Sequence, residues 1–140
     1  MKTYKANRKG PINYLLVGFF ILTCIIFFFK QEPLKEKPFT SMLLLSPIAL
    51  LLWIYLDTFY KIENQKLKYK SGFLRGEVDI SEIREIIKGK TMWSGIKPAL
   101  AKNGLIIKFN RFDEIYIAPE SNDEIVTDLL KINQKINITE

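Results

Sequence analysis

Two long apolar runs and a later alternating region divide the chain by its hydrophobic pattern. Residues 12–29 and residues 39–56 are each 18 residues long and contain no charged side chain. Each run approaches the roughly 20 residues of helix that cross about 30 Å of hydrocarbon. A buried core helix would show the same pattern, but the remaining residues are too few to enclose two helices that are apolar on every side. The pattern therefore predicts two transmembrane helices, joined by the connector 30–38.

The first run also resembles a cleaved signal sequence, and its details argue against that interpretation. Its apolar part is longer than the ~7–15 residues of a typical signal. Phe27, Phe28 and Phe29 stand at its end, where a cleavage site needs small residues. The run is therefore predicted to be retained as a membrane span.

From Asp57 onward, apolar and polar positions alternate with period two, which is typical of half-buried strands. The segments FYKIE and KLKYK flank the dipeptide Asn64–Gln65 and predict a hairpin. Further strands are predicted in FLRGEVDI, REIIKG, LIIKF and EIYIA. KPAL, residues 97–100, is predicted as a brief edge strand that its proline limits. The domain should therefore contain six or seven short antiparallel strands.

A single helix is predicted after the last strand. Ser121 suits the N-cap, and Glu124 stands three residues later, as in a capping box. One apolar face is predicted along this helix, comprising Ile125, Leu129, Ile132 and Ile136. The pattern as a whole predicts a membrane-anchored α+β protein, in which a two-helix transmembrane hairpin (residues 12–56) precedes a small antiparallel β-barrel or sheet capped by a C-terminal helix (residues 57–140).

Short motifs between residues 57 and 133 resemble a known domain. The matching positions are Ile62, Glu63, Leu67 and Gly72, then Ile80–Ile83, Pro98–Leu100 and Asp113–Pro119. This set is similar to the bacterial PH-like domain family typified by YyaB-like proteins, whose members often carry preceding membrane spans. The resemblance implies a PH-like fold and implies little about function, because that family is largely uncharacterised.

The resemblance also bears on lipid binding. Eukaryotic PH domains hold inositol phosphates with clustered basic residues on a long loop between their first two strands. Here the loop between the first two predicted strands is only Asn64–Gln65. Phosphoinositide binding is therefore not expected.

The net charge of +6 is concentrated near the N terminus. Residues 1–11 carry four basic side chains and no acid, whereas residues 57–140 hold 14 basic and 13 acidic side chains. A nearly neutral domain is not typical of nucleic-acid-binding proteins. By the positive-inside rule, the basic tail 1–11 and the PH-like domain are predicted in the cytoplasm, and the connector outside the cell membrane.

Residue types exclude most familiar catalytic and metal sites. The chain has no histidine, and its one cysteine, Cys24, lies in the first apolar run. This composition excludes Cys–His pairs, Ser–His–Asp triads and zinc sites of the His/Cys type. Asp79, Glu82 and Glu85 lie close in sequence but have no nucleophile or metal scaffold beside them, so a solvated turn is expected. No enzymatic activity, cofactor or metal is predicted.

The irregular segment 88–104 holds the candidate partner-binding residues. Met92 and Trp93 are large apolar residues on a predicted loop, and such residues often mark contact surfaces. The alternative is that both pack beneath the loop as core. The nearby edge at Pro98 and Leu100 is a place where a peptide could add a strand.

A stripe of alternating lysines is the candidate membrane-surface site. Lys66, Lys68 and Lys70 share one face of a predicted strand close to the membrane. Anionic headgroups would attract them. The alternative is the solvated face of an ordinary half-buried strand, with Leu67 and Tyr69 inward.

These features favour a PH-like interaction module held at the membrane face. It would contact the lipid bilayer through its two spans and bind a protein or peptide partner through the domain. The alternative is an accessory or immunity-type membrane protein that acts through its transmembrane hairpin.

Overall fold

The structure, a computed structural model, describes residues 1–30 and 38–140. The three helices of this part are α1 (Pro11–Lys30), α2 (Pro38–Asp57) and α3 (Asn122–Ile132). Its eight strands are β1 (Lys2–Lys5), β2 (Phe59–Glu63), β3 (Lys66–Ser71), β4 (Leu74–Asp79), β5 (Ile83–Lys88), β6 (Leu105–Phe109), β7 (Asp113–Ile117) and β8 (Asn137–Thr139). A short 3-10 helix, Ile80–Glu82, connects β4 to β5.

Both predicted apolar runs form helices of 20 residues. They pack against each other, and most of their side chains face outward. By length and composition, each is able to cross a membrane. The predicted connector falls almost wholly on residues 31–37, outside the described residues.

Pro47 lies inside α2 and lacks the N–H that would bond to the carbonyl of Leu43. The Ser46 hydroxyl donates to that carbonyl oxygen at 2.8 Å. In hydrocarbon an unpaired carbonyl would be costly, so this contact lets a proline stand in an apolar helix.

Two four-stranded sheets enclose the core of the domain. Their strand orders are β1-β2-β3-β4 and β7-β6-β5-β8. The amphipathic helix α3 packs on this core with Ile125 and Leu129 fully buried. The sheets meet without closing into one continuous barrel. Apart from β8, the strands pair antiparallel, and the predicted α+β domain with a capping C-terminal helix is thus confirmed.

The first strand comes from the segment predicted only as a basic tail. β1 pairs antiparallel with β2, from Lys2 opposite Ile62 to Lys5 opposite Phe59. Tyr4 points into the core and is buried. A four-residue strand with one large apolar side chain gives almost no periodic signal. The helix pair is therefore inserted between the first and second strands of one sheet.

This insertion corrects the assignment of the short turn. Asn64 and Gln65 both have positive φ, 52° and 59°, as a two-residue type I′ hairpin requires. The hairpin is confirmed, but it joins the second and third strands of its sheet. The first and second strands are joined by α1 and α2. The prediction of a short loop between the first two strands was therefore wrong, and the expectation of no phosphoinositide binding stays a prediction.

The C-terminal end also differs from the prediction. α3 ends at Ile132, because the Asn133 side chain donates to the carbonyls of Ile80 at 2.8 Å and Ile83 at 3.2 Å. Ile132 is 42% exposed, so its assignment to the buried face was wrong. Ile136 is buried but lies beyond the helix, just before β8. β8 pairs parallel with β5, whereas only antiparallel strands were predicted.

Candidate functional site

The loop between β5 and β6, here called the 89–104 loop, lies along the open edge of β7. The Tyr116 backbone N–H donates to the carbonyl of Ile96 at 3.0 Å. Residues 97–100 form no strand, so the predicted edge strand there was wrong. Because the loop covers this edge of β7, the strand-addition site predicted near Pro98 and Leu100 is occupied by the chain itself.

Tyr60 fixes the loop to the sheets from below. Its hydroxyl donates to the carbonyl of Pro98 at 2.7 Å and accepts the Ala118 N–H at 3.1 Å. Burial raises the pKa of this hydroxyl. Pro98 and Leu100 are consequently buried. They hold the loop in place and are inaccessible to a partner.

A second tyrosine, Tyr116, holds the C-terminal part of the 89–104 loop. The Tyr116 hydroxyl accepts the Gly104 N–H at 3.0 Å and donates to the Ala101 carbonyl at 2.8 Å. Met92 packs beneath the loop beside Ala101 and Tyr116 and is buried. Of its two predicted locations, Met92 takes the core.

Trp93 takes the other predicted location, on the surface of the loop, where 94% of the residue is exposed. Its neighbour in the loop, Ile96, is also exposed. These two exposed apolar side chains on a loop anchored at both ends are here called the Trp93 patch. Trp93 was named from the sequence, whereas Ile96 was missed because it stands alone among polar and small residues.

The lysine stripe on β3 is matched by carboxylates. Lys68 contacts Glu63 at 3.0 Å, Lys70 contacts Asp57 at 2.9 Å, and Lys66 pairs with Glu77. These side chains form one charged outer face of the first sheet. The attraction of this stripe to lipid headgroups remains a prediction, and its paired charges argue against a strong effect.

The acidic residues of the β4–β5 region have separate structural contacts. The Asp79 carboxylate accepts the Ser81 hydroxyl at 2.7 Å and the Ser81 N–H at 2.9 Å, which caps the 3-10 helix, and these two bonds lower the pKa of Asp79. Glu85 contacts Lys108 at 2.9 Å and accepts the Thr139 hydroxyl at 3.1 Å, and these contacts lower its pKa. Within residues 1–30 and 38–140, no group of three His, Cys, Asp or Glu residues is arranged to hold a metal ion.

Apolar packing joins the helices to the domain, in a region here called the junction. Ile12 at the start of α1 is buried in the domain core, and Ile54 near the end of α2 packs against it. The Thr58 hydroxyl bonds to the Ile54 carbonyl at 2.6 Å and to the Ser71 hydroxyl at 2.8 Å. The helix ends are therefore continuous with the folded core.

The β3–β4 turn lies directly against α2. Gly72 has a φ of 56°, and a Cβ there would stand 2.7 Å from Cγ1 of Ile54. The next residue, Phe73, is 70% exposed and meets the Trp53 ring edge-to-face at 4.7 Å between centroids. Neither Phe73 nor the exposed Phe112 was identified from the sequence, since single aromatic residues in turns carry no periodic signal.

An apolar cleft of about 440 Å³ opens at the junction. This junction cleft is bordered by the start of α1, the end of α2, the β3–β4 turn and the 89–104 loop; its principal lining residues are Ile12, Leu15, Leu51, Ile54, Phe73 and Lys97. In the described part of the chain, Lys97 pairs with no carboxylate. The cleft combines an apolar wall with one free positive charge.

Comparison with known proteins gives two results for this architecture. A family model described as Bacterial PH domain matches residues 58–133. The chain is also 21% identical over 139 residues to the Uncharacterized protein YyaB of Bacillus subtilis (strain 168). That alignment covers 96% of this chain and 95% of YyaB. No solved structure matches the chain.

Proposed function

Because the chain belongs to the bacterial PH domain family, we propose that it is a membrane protein that presents its PH-like domain as a binding module at the cytoplasmic membrane face. The Trp93 patch is the surface that binds a protein or peptide partner. The observation that carries this proposal is a nearly fully exposed tryptophan on a loop fixed at both ends.

Membrane insertion is supported by the outward-facing side chains of α1 and α2. Large apolar residues such as Phe20, Met42 and Leu43 are exposed along both helices. In water this surface would be a severe aggregation liability, whereas hydrocarbon is its favourable solvent. Lys2, Lys5, Arg8 and Lys9 before α1 favour the cytoplasm for this end of the helix pair.

The composition of the loop indicates the chemistry of the partner. Residues 88–104 contain four lysines and no acidic residue. Lys88 pairs with Asp123, while the exposed Lys102 pairs with no carboxylate in the described residues. An exposed tryptophan on a basic loop suits a partner that presents an apolar side chain flanked by carboxylates.

Site-specific crosslinking in native membranes tests the partner site. A photoreactive residue is placed at Trp93 in one full-length variant and at Phe112 in a matched control. Phe112 is 84% exposed on the β6–β7 turn and is not part of the patch. We expect one protein to be captured at position 93 and not at position 112.

The captured protein is then purified and its affinity is measured. Trp93→Ala should weaken binding at least about tenfold, because exposed aromatic anchors commonly dominate such interfaces. Phe112→Ala should leave the affinity unchanged. Equal capture at both positions, or unchanged affinity of the Trp93→Ala variant, would contradict the proposed site.

A further inference from the structure

We infer that the junction cleft binds one anionic phospholipid, with an acyl chain along its apolar wall and the phosphate at Lys97. This inference rests on the proposed membrane insertion of α1 and α2. It concerns a different surface from the Trp93 patch and a different class of ligand.

The position of the cleft gives it access to lipid. Its wall includes Leu15 from the beginning of α1 and Leu51 from the end of α2. Both residues belong to the apolar runs, so the wall continues directly into the surface that faces acyl chains. The helices enter and leave the domain here, which places the cleft at the level of the headgroups on the domain side.

The shape and lining of the cleft suit part of a lipid molecule. Its volume of about 440 Å³ lies within the ~300–1,000 Å³ of clefts that bind small molecules. Phe73 at its rim keeps most of its ring exposed while one edge rests on Trp53. An acyl chain would cover apolar surface that water otherwise contacts.

The charge of the cleft selects the headgroup. Lys97 is the charged residue of the lining, and in residues 1–30 and 38–140 it has no carboxylate partner. Two further cations, Arg8 and Lys9, precede α1, where Arg8 stacks on the Tyr55 ring at 5.0 Å. A lysine at an apolar cleft near the membrane surface is suited to a phosphate bearing a net negative charge. A zwitterionic lipid would gain less there, because its own cation offsets the attraction.

Fluorescence quenching of Trp53 by brominated lipids measures occupancy beside the cleft. The chain has two tryptophans, so Trp93→Phe leaves Trp53 as the one reporter. The full-length protein is reconstituted in phosphatidylcholine vesicles with increasing fractions of brominated phosphatidylglycerol, or of brominated phosphatidylcholine. We expect half-maximal quenching at a fraction of phosphatidylglycerol that is about fivefold lower than the fraction of phosphatidylcholine required. This is the preference expected from one basic residue near an anionic surface.

Three lysine variants make the test specific to Lys97. Lys97→Gln should bring the two midpoints together, whereas Lys97→Arg should keep the preference because it keeps the charge. Lys102→Gln removes an exposed lysine of the same loop that lies outside the cleft, and this variant should also keep the preference for the anionic lipid.

Each contrary outcome identifies which claim fails. The lipid site is overturned if the Trp93→Phe protein shows equal quenching midpoints for the two lipids, or if the anionic preference survives Lys97→Gln. Either result leaves the proposed function intact. An unquenched Trp53 in both lipid series overturns membrane insertion, and the lipid site with it.

Discussion

Different interactions hold the two ends of the sheet β1-β2-β3-β4: one end meets helices α1 and α2 at the junction, and the other meets helix α3. At the junction, Ile12 and Ile54 join the helices to the core through apolar packing. At the far side of β1, Lys2 contacts Asp128 at 2.5 Å and the Tyr4 hydroxyl donates to the same carboxylate at 2.7 Å. Apolar packing responds to volume, whereas a charged cluster responds to pH and salt. We therefore expect the Lys2 end of β1 to be sensitive to pH and salt, and the packing of Ile12 and Ile54 to be sensitive to changes in side-chain volume.

Adding one methyl group at the junction should have the largest effect. A Cβ on Gly10 would overlap the carbonyl oxygen of Leu100, which is backbone and cannot move aside easily. Gly10→Ala should reduce the free energy of unfolding by about 3 kcal/mol, at the upper end of overpacking effects. Thermal unfolding of the full-length protein in detergent measures it.

Gly18→Ala is the matched control, because a Cβ there meets nothing within 4 Å. Its melting temperature should equal or slightly exceed that of the parent, because alanine favours a helix over glycine. Equal melting temperatures for the two variants would show that α1 is not packed against the loop as described.

Removing one hydroxyl beneath the 89–104 loop should have the next largest effect. Tyr60→Phe leaves the Pro98 carbonyl and the Ala118 N–H without their partner in a buried place. The expected loss is about 2 kcal/mol, the cost of unsatisfied buried polar groups. Faster hydrogen exchange at the Ala118 amide would locate the effect, and unchanged exchange there would argue against this anchor.

The charged end should lose stability in acid. Hydrogen bonds from Lys131, Lys2 and Tyr4 lower the pKa of Asp128 below its ordinary value. Because the pKa of Asp128 is lower in the folded than in the unfolded protein, its carboxylate stabilises the fold above the unfolded pKa of about 4. This stability is lost as the pH falls toward the folded pKa. Protection of the β1 amides should therefore decrease below about pH 4.

Asp128→Asn isolates this contribution. At pH 7 it should cost about 1 kcal/mol, since these contacts are partly exposed and screened by solvent. It should also remove the acid-dependent loss of protection in β1. An undiminished pH dependence in this variant would assign the effect to another carboxylate.

The lysine stripe should contribute least. Lys66 pairs with Glu77 on the exposed outer face of the first sheet. Lys66→Gln should leave the midpoint of urea denaturation within experimental error of the parent, as is usual for exposed ion pairs. A clearly lower midpoint would indicate a larger role for this face.

What the sequence reveals depends on how local the determining contacts are. The helices follow from two unbroken apolar runs, and the hairpin at Asn64–Gln65 follows from its turn residues. Ser121 caps α3 as predicted, accepting the Glu124 N–H at 3.3 Å. Each of these features depends on neighbours within a few residues.

The missed features depend on distant partners. β1 forms only because β2, more than 50 residues later, offers an edge. Pro98 is buried because Tyr60 bonds to its carbonyl across the fold. Trp93 and Met92 are adjacent in sequence and take opposite environments, and no local pattern separates them.

Cysteine accessibility tests the central claim, that a membrane-spanning helix pair interrupts a sheet whose first two strands lie on the same side of the membrane. Single cysteines are placed at Lys9, Lys35 and Gln65 in a Cys24→Ser background, and intact cells are treated with a membrane-impermeant thiol reagent. We predict labelling at position 35, and labelling at 9 and 65 only after the membrane is permeabilised. Labelling of 9 and 65 on opposite sides would contradict the pairing of β1 with β2, and labelling of 35 only after permeabilisation would contradict the proposed cytoplasmic domain.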